Sequence, residues 1–316
     1  MEPGNDLSMS ATGLYYPGMP RWTLIVLLAT AFGALAEERL PASIIRLPES
    51  TPTVFIAETG AAALHRFDRA GGRVVEAGRY YLSIGLGGTG KQRAGDQRTP
   101  LGIYFVTEQL DTSRLHEKYG VTAFPLDYPN AWDRRHGRTG DGIWVHGVDR
   151  DGGRRPPLDT DGCLALPNES LHELDPHFRP NVTPVVIGTE MAWTDATTVE
   201  TLRTELEEAV RRWAQALEQG DMVAWLDAYD AEFEHLGMNR DEWTAFSLQT
   251  VGRRQIRTVQ VSDLMLLADP VVDGLFLSRF LLEVRETGYP RVVTVRRMYW
   301  RRSESGALRI VAQDAG

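Results

Sequence analysis

The rhythm of apolar and polar positions changes near residue 190. Between 53 and 106 the apolar residues fall in short runs: Thr53-Val54-Phe55-Ile56-Ala57, Ala63-Leu64-His65-Arg66-Phe67, Val74-Val75, Tyr80-Tyr81-Leu82-Ser83-Ile84 and Ile103-Tyr104-Phe105-Val106. Runs this short, bounded by Gly, Pro and Asp, predict strands. Asp68 to Gly72 reads as a hairpin turn, and Gly85 to Gly90 as a flexible glycine-rich connection. Residues 107–142 look irregular, with Phe124, Tyr128 and Trp132 among them, and irregular stretches of that length commonly form a lid or cleft wall. A short strand at 143–146, a polar loop from Asp149 to Asp159, a helix at Leu171 to Leu174 and a strand at 184–187 complete a mostly β region over 52–188.

After that the spacing becomes helical. Leu202, Leu206, Val210, Trp213 and Leu217 recur every three or four residues, behind a cap at Thr197 or Thr198. Gly220-Asp221 ends this helix and opens another, to about Tyr229; a third covers 240–248. Strands follow at 254–261, 264–269, 273–287, 290–302 and 307–312. Helices followed by an antiparallel meander predict an α+β domain over 196–316. Residues 37–51, with Pro41 and Pro48 and no periodicity, read as a linker.

The N-terminus has a different character. Arg21 precedes an apolar run from Trp22 to Gly33, and Ala34-Leu35-Ala36 supplies small residues at a cleavage point. This predicts a secretory signal peptide over 1–36, export to the periplasm and a mature chain beginning near Glu37. The competing reading is an uncleaved membrane anchor, for which the run is short against the roughly 20 residues of a span. Met19 is an alternative start to Met1. The 316 residues are 42% hydrophobic and 24% charged, and the length suits two domains. A net charge of −9 without a basic cluster argues against nucleic acid, and against membrane contact beyond the leader.

The candidate chemistry centres on Cys163, the sole cysteine. An exported chain with one cysteine has no internal disulfide to form, which leaves a chance residue, an intermolecular link or a reactive thiol. A thiol with a pKa near 8.5 is only slightly ionised at neutral pH, so a nucleophilic cysteine needs a nearby base. His146 is the candidate, and the carbonyl of Gly147 is placed to orient its ring. Gly162 permits a sharp turn before Cys163, with backbone N–H groups there to receive an oxyanion. His146, Asp161, Cys163 and His172 match no zinc-site spacing, so no metal is expected. Gly85 to Lys91 lacks the Lys-Ser/Thr pair of a phosphate-binding loop.

His146-Gly147, a loop, and then Thr160-Asp161-Gly162-Cys163-Leu164-Ala165-Leu166 resemble the signature of the YkuD, or L,D-transpeptidase, family. Gly95-Asp96-Gln97-Arg98-Thr99-Pro100-Leu101-Gly102-Ile103-Tyr104 resembles an upstream element of that family, and Asn168-Glu169 is similar to one branch. The resemblance implies a YkuD-like β-sandwich over 52–188, with Cys163 as nucleophile and His146 as base, and Thr160, Asp161 and Gly162 on the cysteine loop. It implies action on peptidoglycan stem peptides with no cofactor. The thiolate attacks the carbonyl of the L-centre of the diamino acid at position three, D-alanine leaves, and an amine, on a neighbouring stem or a wall-attached protein, or water resolves the thioester. Asp161 departs from the histidine many members carry there. It holds the loop, meets a substrate ammonium or raises the thiol pKa. Arg154 and Arg155 are candidate partners for substrate carboxylates, or a solvated basic loop. Tyr104 is a weaker substrate-binding candidate, with strand packing as the alternative. The second half resembles the nuclear transport factor 2-like (SnoaL-like) fold, helices on a curved antiparallel sheet. The pairing is similar to exported L,D-carboxypeptidases that set cell shape. A catalytically silent wall-binding module is the remaining alternative.

Overall fold

A computed structural model of the chain describes residues 39–149, 152–303 and 305–315. The leader expected at 1–36 lies outside them. Among the described residues no helix is long and apolar enough to cross a membrane.

The described strands stack in layers. A five-stranded sheet runs in the order Arg73–Tyr81, Ala63–Ala70, Thr53–Glu58, Pro184–Gly188, Gly102–Phe105. Its neighbours are antiparallel except Thr53–Glu58 and Pro184–Gly188, which are parallel. Adjacent residues on a strand point to opposite faces. Phe55, Ala57, Val185 and Ile187 therefore face a three-stranded sheet (Leu164–Ala165, Trp144–His146, Ala123–Pro125) through a core with Phe124, Val145 and Leu164. Val54, Ile56, Ile103, Phe105 and Val186 face the other way, against Met265, Leu267, Leu277, Tyr299 and Val311 of a seven-stranded sheet. Burial on both faces is why these strands read as continuous apolar runs.

The seven-stranded sheet runs Met238–Asn239, Tyr229–His235, Leu308–Ala315, Val292–Arg302, Leu275–Glu286, Ile256–Ala268, Ile44–Arg46. Its far face (Leu266, Phe280, Met298, Trp300) packs under the helix Ala196–Gln219 through Leu206, Val210, Trp213 and Leu217. The fold is thus a mainly β sandwich followed by helices on a long antiparallel sheet.

Several expectations need correction. The segment read as a linker carries strands Arg39–Pro41 and Ile44–Arg46; the first pairs with Trp193–Asp195 and the second edges the seven-stranded sheet. Ile44, Ile45 and Leu47 are buried there, too few apolar positions to show a period. The strands expected at 254–261 and 264–269 are one strand, Ile256–Ala268, in which Asp263 sits at a positive φ of 58° where the register shifts. That bulge interrupts the alternation and mimics a turn. The long helix is capped by Asp195, whose carboxylate accepts from the Thr198 N–H at 2.7 Å, rather than by a threonine. Tyr229 opens a strand, Tyr229–His235, and does not close a helix. Residues 107–142 are less irregular than expected, containing the strand Ala123–Pro125 and the helix Ala131–Arg135.

Asp127 and Arg297 link the two lobes. The Asp127 carboxylate accepts the Phe105 N–H at 2.7 Å and pairs with the Arg297 guanidinium, which lies 4.2 Å over the Phe105 ring. Burial pushes the Asp127 carboxyl up to about 6, against the pull of Arg297 and the Phe105 N–H. Each fully buried Leu, Ile or Phe contributes roughly 1.5–3 kcal/mol, so the apolar interface supplies most of the adhesion. The ion pair chiefly keeps a buried carboxylate from standing alone. Arg297→Met should therefore cost about 3–5 kcal/mol in urea denaturation. Asp127→Asn combined with Arg297→Met should recover most of that loss; a cost under about 1 kcal/mol for the single variant, at the level of a surface pair, would show that the pair is not needed.

Candidate active site

Sheet register brings the two chemical candidates together. Leu164–Ala165 pairs parallel to Trp144–His146, with Leu164 opposite Val145 and Ala165 opposite His146. Extending the register by one residue sets Cys163 beside Trp144. Val145 and Leu164 point into the sandwich core, so Cys163 and His146 share the opposite face. Both side chains are nonetheless buried, at 7% and 3% exposure, beneath the surrounding loops.

The loop before the cysteine is tied by two threonines. Thr160 Oγ1 accepts the Gly162 N–H at 3.1 Å and donates to the Cys163 carbonyl at 2.7 Å. Thr99 Oγ1 accepts the Gly85 N–H at 2.9 Å and donates to the Gly162 carbonyl at 3.0 Å. Gly162 has φ +122°, and a Cβ on it would lie 2.7 Å from the Arg98 carbonyl oxygen. A side chain at Gly162 is therefore excluded by conformation and by space. Its N–H is spent on Thr160, so it is not free to serve an oxyanion.

The upstream motif acts as a platform for this loop. Asp96 accepts the N–H groups of Gln92, Arg93 and Arg98 at 2.8, 2.9 and 3.1 Å, and Lys91 Nζ at 2.9 Å. Burial would raise its pKa, but these donors outweigh it and hold the carboxyl well below the usual range. The glycine-rich connection is thus pinned rather than loose. Lys91 is turned inward, at 3% exposure, and is not offered to a phosphate.

On the histidine side, His146 Nδ1 meets the Gly147 carbonyl at 2.5 Å. That contact assigns the proton to Nδ1 and leaves Nε2 as the lone-pair nitrogen. Tyr119 packs edge-on against the imidazole at 5.2 Å, and its carbonyl accepts the Gly147 N–H at 3.1 Å. Asn168 holds Val148 from both sides, its Oδ1 accepting the Val148 N–H at 3.1 Å and its Nδ2 donating to the Val148 carbonyl at 3.0 Å. A Cβ at Gly147 would lie 2.2 Å from Asn168 Oδ1, so the glycine is required for this clamp.

The remaining candidates separate. Asp161 is exposed beside the nucleophile, accepting Gln97 Nε2 at 3.2 Å and Lys118 Nζ at 3.3 Å. Arg154 is exposed and stacks 3.4 Å over the Tyr81 ring. Arg155 does not reach outward: Asp149 at 3.3 Å and Asp159 at 3.6 Å hold its guanidinium, which also donates to the Lys118 carbonyl. Tyr104 is fully buried, its hydroxyl donating to the Leu101 carbonyl at 3.1 Å, so it packs the core and does not line the site. Lys118 and Tyr119 escaped the sequence reading because nothing local marks them; Thr99 lay inside the quoted motif without a role.

Residues 61–187 match the profile of the L,D-transpeptidase catalytic domain family, YkuD. Those residues belong to the YkuD family. The Escherichia coli K12 protein YafK, itself assigned only as a candidate L,D-transpeptidase, is 34% identical over 89 residues, 28% of this chain. The chain spans 31% of the length of that curated relative. Two solved structures share the fold over nearly the whole chain. Bdellovibrio bacteriovorus Bd1075 superposes with a TM-score of 0.72 at 24% identity, covering 88% of this chain and 98% of that one. The helical cell shape determining protein Pgp2 of Campylobacter jejuni gives 0.73 at 21%, covering 87% and 95%.

Electrostatics in the YkuD domain favour a neutral resting pair. Burial pushes the Cys163 thiol above its ordinary value; the Trp144 backbone N–H opposes this, and the Asp161 charge adds to it. The thiol donates to the Gly142 carbonyl at 3.3 Å, an arrangement that also favours the protonated form. Burial lowers His146 to about 4, against the Gly147 carbonyl contact. At neutral pH both groups are uncharged, so sulfur becomes a thiolate only by giving up its proton, to Nε2 during reaction or to solvent at higher pH. Iodoacetamide alkylation of Cys163 should accelerate about tenfold per pH unit from 7 to beyond 9, following a single thiol ionisation above its reference value. A plateau already reached between pH 5 and 7 would reveal a preformed thiolate–imidazolium pair and overturn this assignment. Gly162→Ala should fold less stably and alkylate Cys163 faster at neutral pH as the loop over it loosens, measured by melting and mass spectrometry.

Proposed function

We propose that the chain is an exported peptidoglycan-modifying L,D-transpeptidase, with Cys163 as nucleophile and His146 as general base and acid. One observation supports this above the others. Within a YkuD domain, the thiol and an imidazole with its Nδ1 proton fixed share one face of a three-stranded sheet. His146 Nε2 takes the thiol proton as sulfur adds to the carbonyl carbon of the L-centre of the diamino acid at stem position three. The tetrahedral intermediate collapses, the C–N bond to D-alanine breaks, and the imidazolium returns the proton to the leaving amine. An incoming amine attacks the thioester, passes its proton to Nε2 and releases the thiol, which recovers the proton.

A second reading, the L,D-carboxypeptidase with water as acceptor, rests on the burial of Cys163. With Cys163 only 7% exposed, a small acceptor reaches the thioester more readily than an amine carried on another stem. The shared fold with a cell shape determining protein fits either acceptor.

The test is incubation of the chain from Glu37 onward with purified tetrapeptide muropeptides, read by chromatography and mass spectrometry. Released D-alanine with 3→3 dimers supports the transpeptidase, and tripeptides alone support the carboxypeptidase. Retained sacculus binding without turnover would leave a silent binding module. Cys163→Ala should lower turnover by about 10⁴-fold or more, as removing a catalytic nucleophile does, with melting unchanged. Wild-type-like turnover in that variant would overturn the nucleophile assignment.

A further inference from the structure

The described residues place one exposed ion pair of opposite charges directly beside the buried nucleophile. Asp161 precedes Cys163 by two residues, and its side chain is 70% exposed; Lys118, 39% exposed, reaches it from another loop at 3.3 Å. Gln97 Nε2 steadies the second carboxylate oxygen at 3.2 Å. Gln97 itself stands at a positive φ of 55° on the platform loop, a conformation non-glycine residues rarely adopt without a local reason.

Both charged groups are presented from well-anchored backbone. The Lys118 carbonyl accepts Arg155, and its N–H donates to His116 Nδ1 at 3.2 Å. The next residue, Tyr119, holds the Gly147 N–H and packs on His146. Gly162, at its restricted φ, aims Asp161 outward while Cys163 turns inward. The ammonium and carboxylate thus sit side by side at the mouth of the site, 3.3 Å apart. Their mutual contact is long and solvent-exposed, so little is lost when each exchanges its partner for a group on a ligand. The other cation in this region with paired carboxylates, Arg155, is already held by Asp149 and Asp159 and is not exchangeable in the same way.

We propose that Lys118 and Asp161 together read a zwitterionic amino-acid head on the acyl donor, Lys118 taking its carboxylate and Asp161 its ammonium. The inference deepens the function proposed above and rests on it: the diamino acid of that donor carries, beyond its L-centre, a second centre with a free ammonium and a free carboxylate. Asp161, where many relatives of the family carry histidine, then acts as a specificity residue rather than as a mark of lost activity. It also accounts for an acid next to a nucleophile whose ionisation its charge opposes.

Binding to Cys163→Ala protein tests this without relying on turnover. The probes are a tetrapeptide muropeptide with the free diamino acid, its analogue with the distal carboxylate amidated, and its analogue with the distal amine acetylated. Calorimetry should show each modification weakening binding at least about tenfold, the loss of one charge-assisted contact. In the Cys163→Ala background, Lys118→Met should abolish discrimination against the amidated probe alone. Asp161→Asn should abolish discrimination against the acetylated probe alone, with melting unchanged in both. Equal affinity for all three probes, or a uniform weakening in either variant, overturns the inference and assigns the pair a loop-holding role. Turnover of unmodified muropeptide by the wild-type chain reports separately on the proposed function, so failure of one is distinguishable from failure of the other.

Discussion

Three adjacent strands of the five-stranded sheet, Thr53–Glu58, Pro184–Gly188 and Gly102–Phe105, are buried on both faces, and most of the architecture follows from that. A sheet with two apolar faces needs two covers. The three-stranded sheet that carries His146 and leads out of Cys163 is one cover, and the seven-stranded sheet is the other. Neither lobe could be removed without exposing Val54, Ile56, Ile103 and Phe105 or their partners. The chain strengthens the arrangement by sending its first described strands across the boundary, so that Ile44–Arg46 edges a sheet built otherwise from residues beyond 228. The helical layer then covers the last apolar face. Asp127 fits the same scheme. It lies one residue from Leu126, whose N–H holds the Ile143 carbonyl, and Gly142 beside it accepts the thiol. Arg297, from the distant sheet, thereby pairs with a carboxyl group on the same stretch of chain that borders the thiol's acceptor.

Within this frame the site is made where loops meet over one face of the three-stranded sheet. The cavity of about 430 Å³ lined by Glu190, Asp269 and Arg302 lies away from Cys163, between the Trp193–Asp195 segment and the hairpin before Leu275. At the nucleophile itself, the Gly-Asp-x-x-Thr-Pro segment is a scaffold. Asp96 gathers the loop's amides, and Thr99 passes that order on to Gly162 through a single hydroxyl. His146 is held from the other side by Gly147, Tyr119 and Asn168. Residues as far apart in the chain as Asp96 and Asn168 thus fix two side chains on one face of a small sheet.

What the chain disclosed in advance divides along the range of the interactions. Buried strands announce themselves because both faces are apolar, and the long helix because Leu206, Val210, Trp213 and Leu217 form one stripe. His146, Gly147, Gly162 and Cys163 stood out as candidates because residues 146–147 and 160–166 resemble a family signature, with glycines where the chain turns sharply. The strands at 39–46 were not, since three-residue strands hold no period and owe their form to pairing with Trp193–Asp195 and Ile256–Ala268. The Asp263 bulge disguised one strand as two. Arg155 looked available because Asp149 and Asp159 reach it only when the loop curls, and Tyr104 because an aromatic in a motif invites a ligand role. Lys118 was invisible: its partner lies 43 residues away, on the far side of the histidine.

The division of labour around the sulfur has a physical logic. A thiolate in a dry site is a stronger nucleophile but is costly to form there. Burial raises the Cys163 thiol and lowers His146, so the resting pair holds no charge and the sole cysteine is shielded from oxidation. The same burial leaves the reacting groups with little surface on which to recognise anything. Recognition therefore has to sit outside, on groups that remain solvated until a ligand arrives, and the exposed carboxylate and ammonium at Asp161 and Lys118 occupy that position.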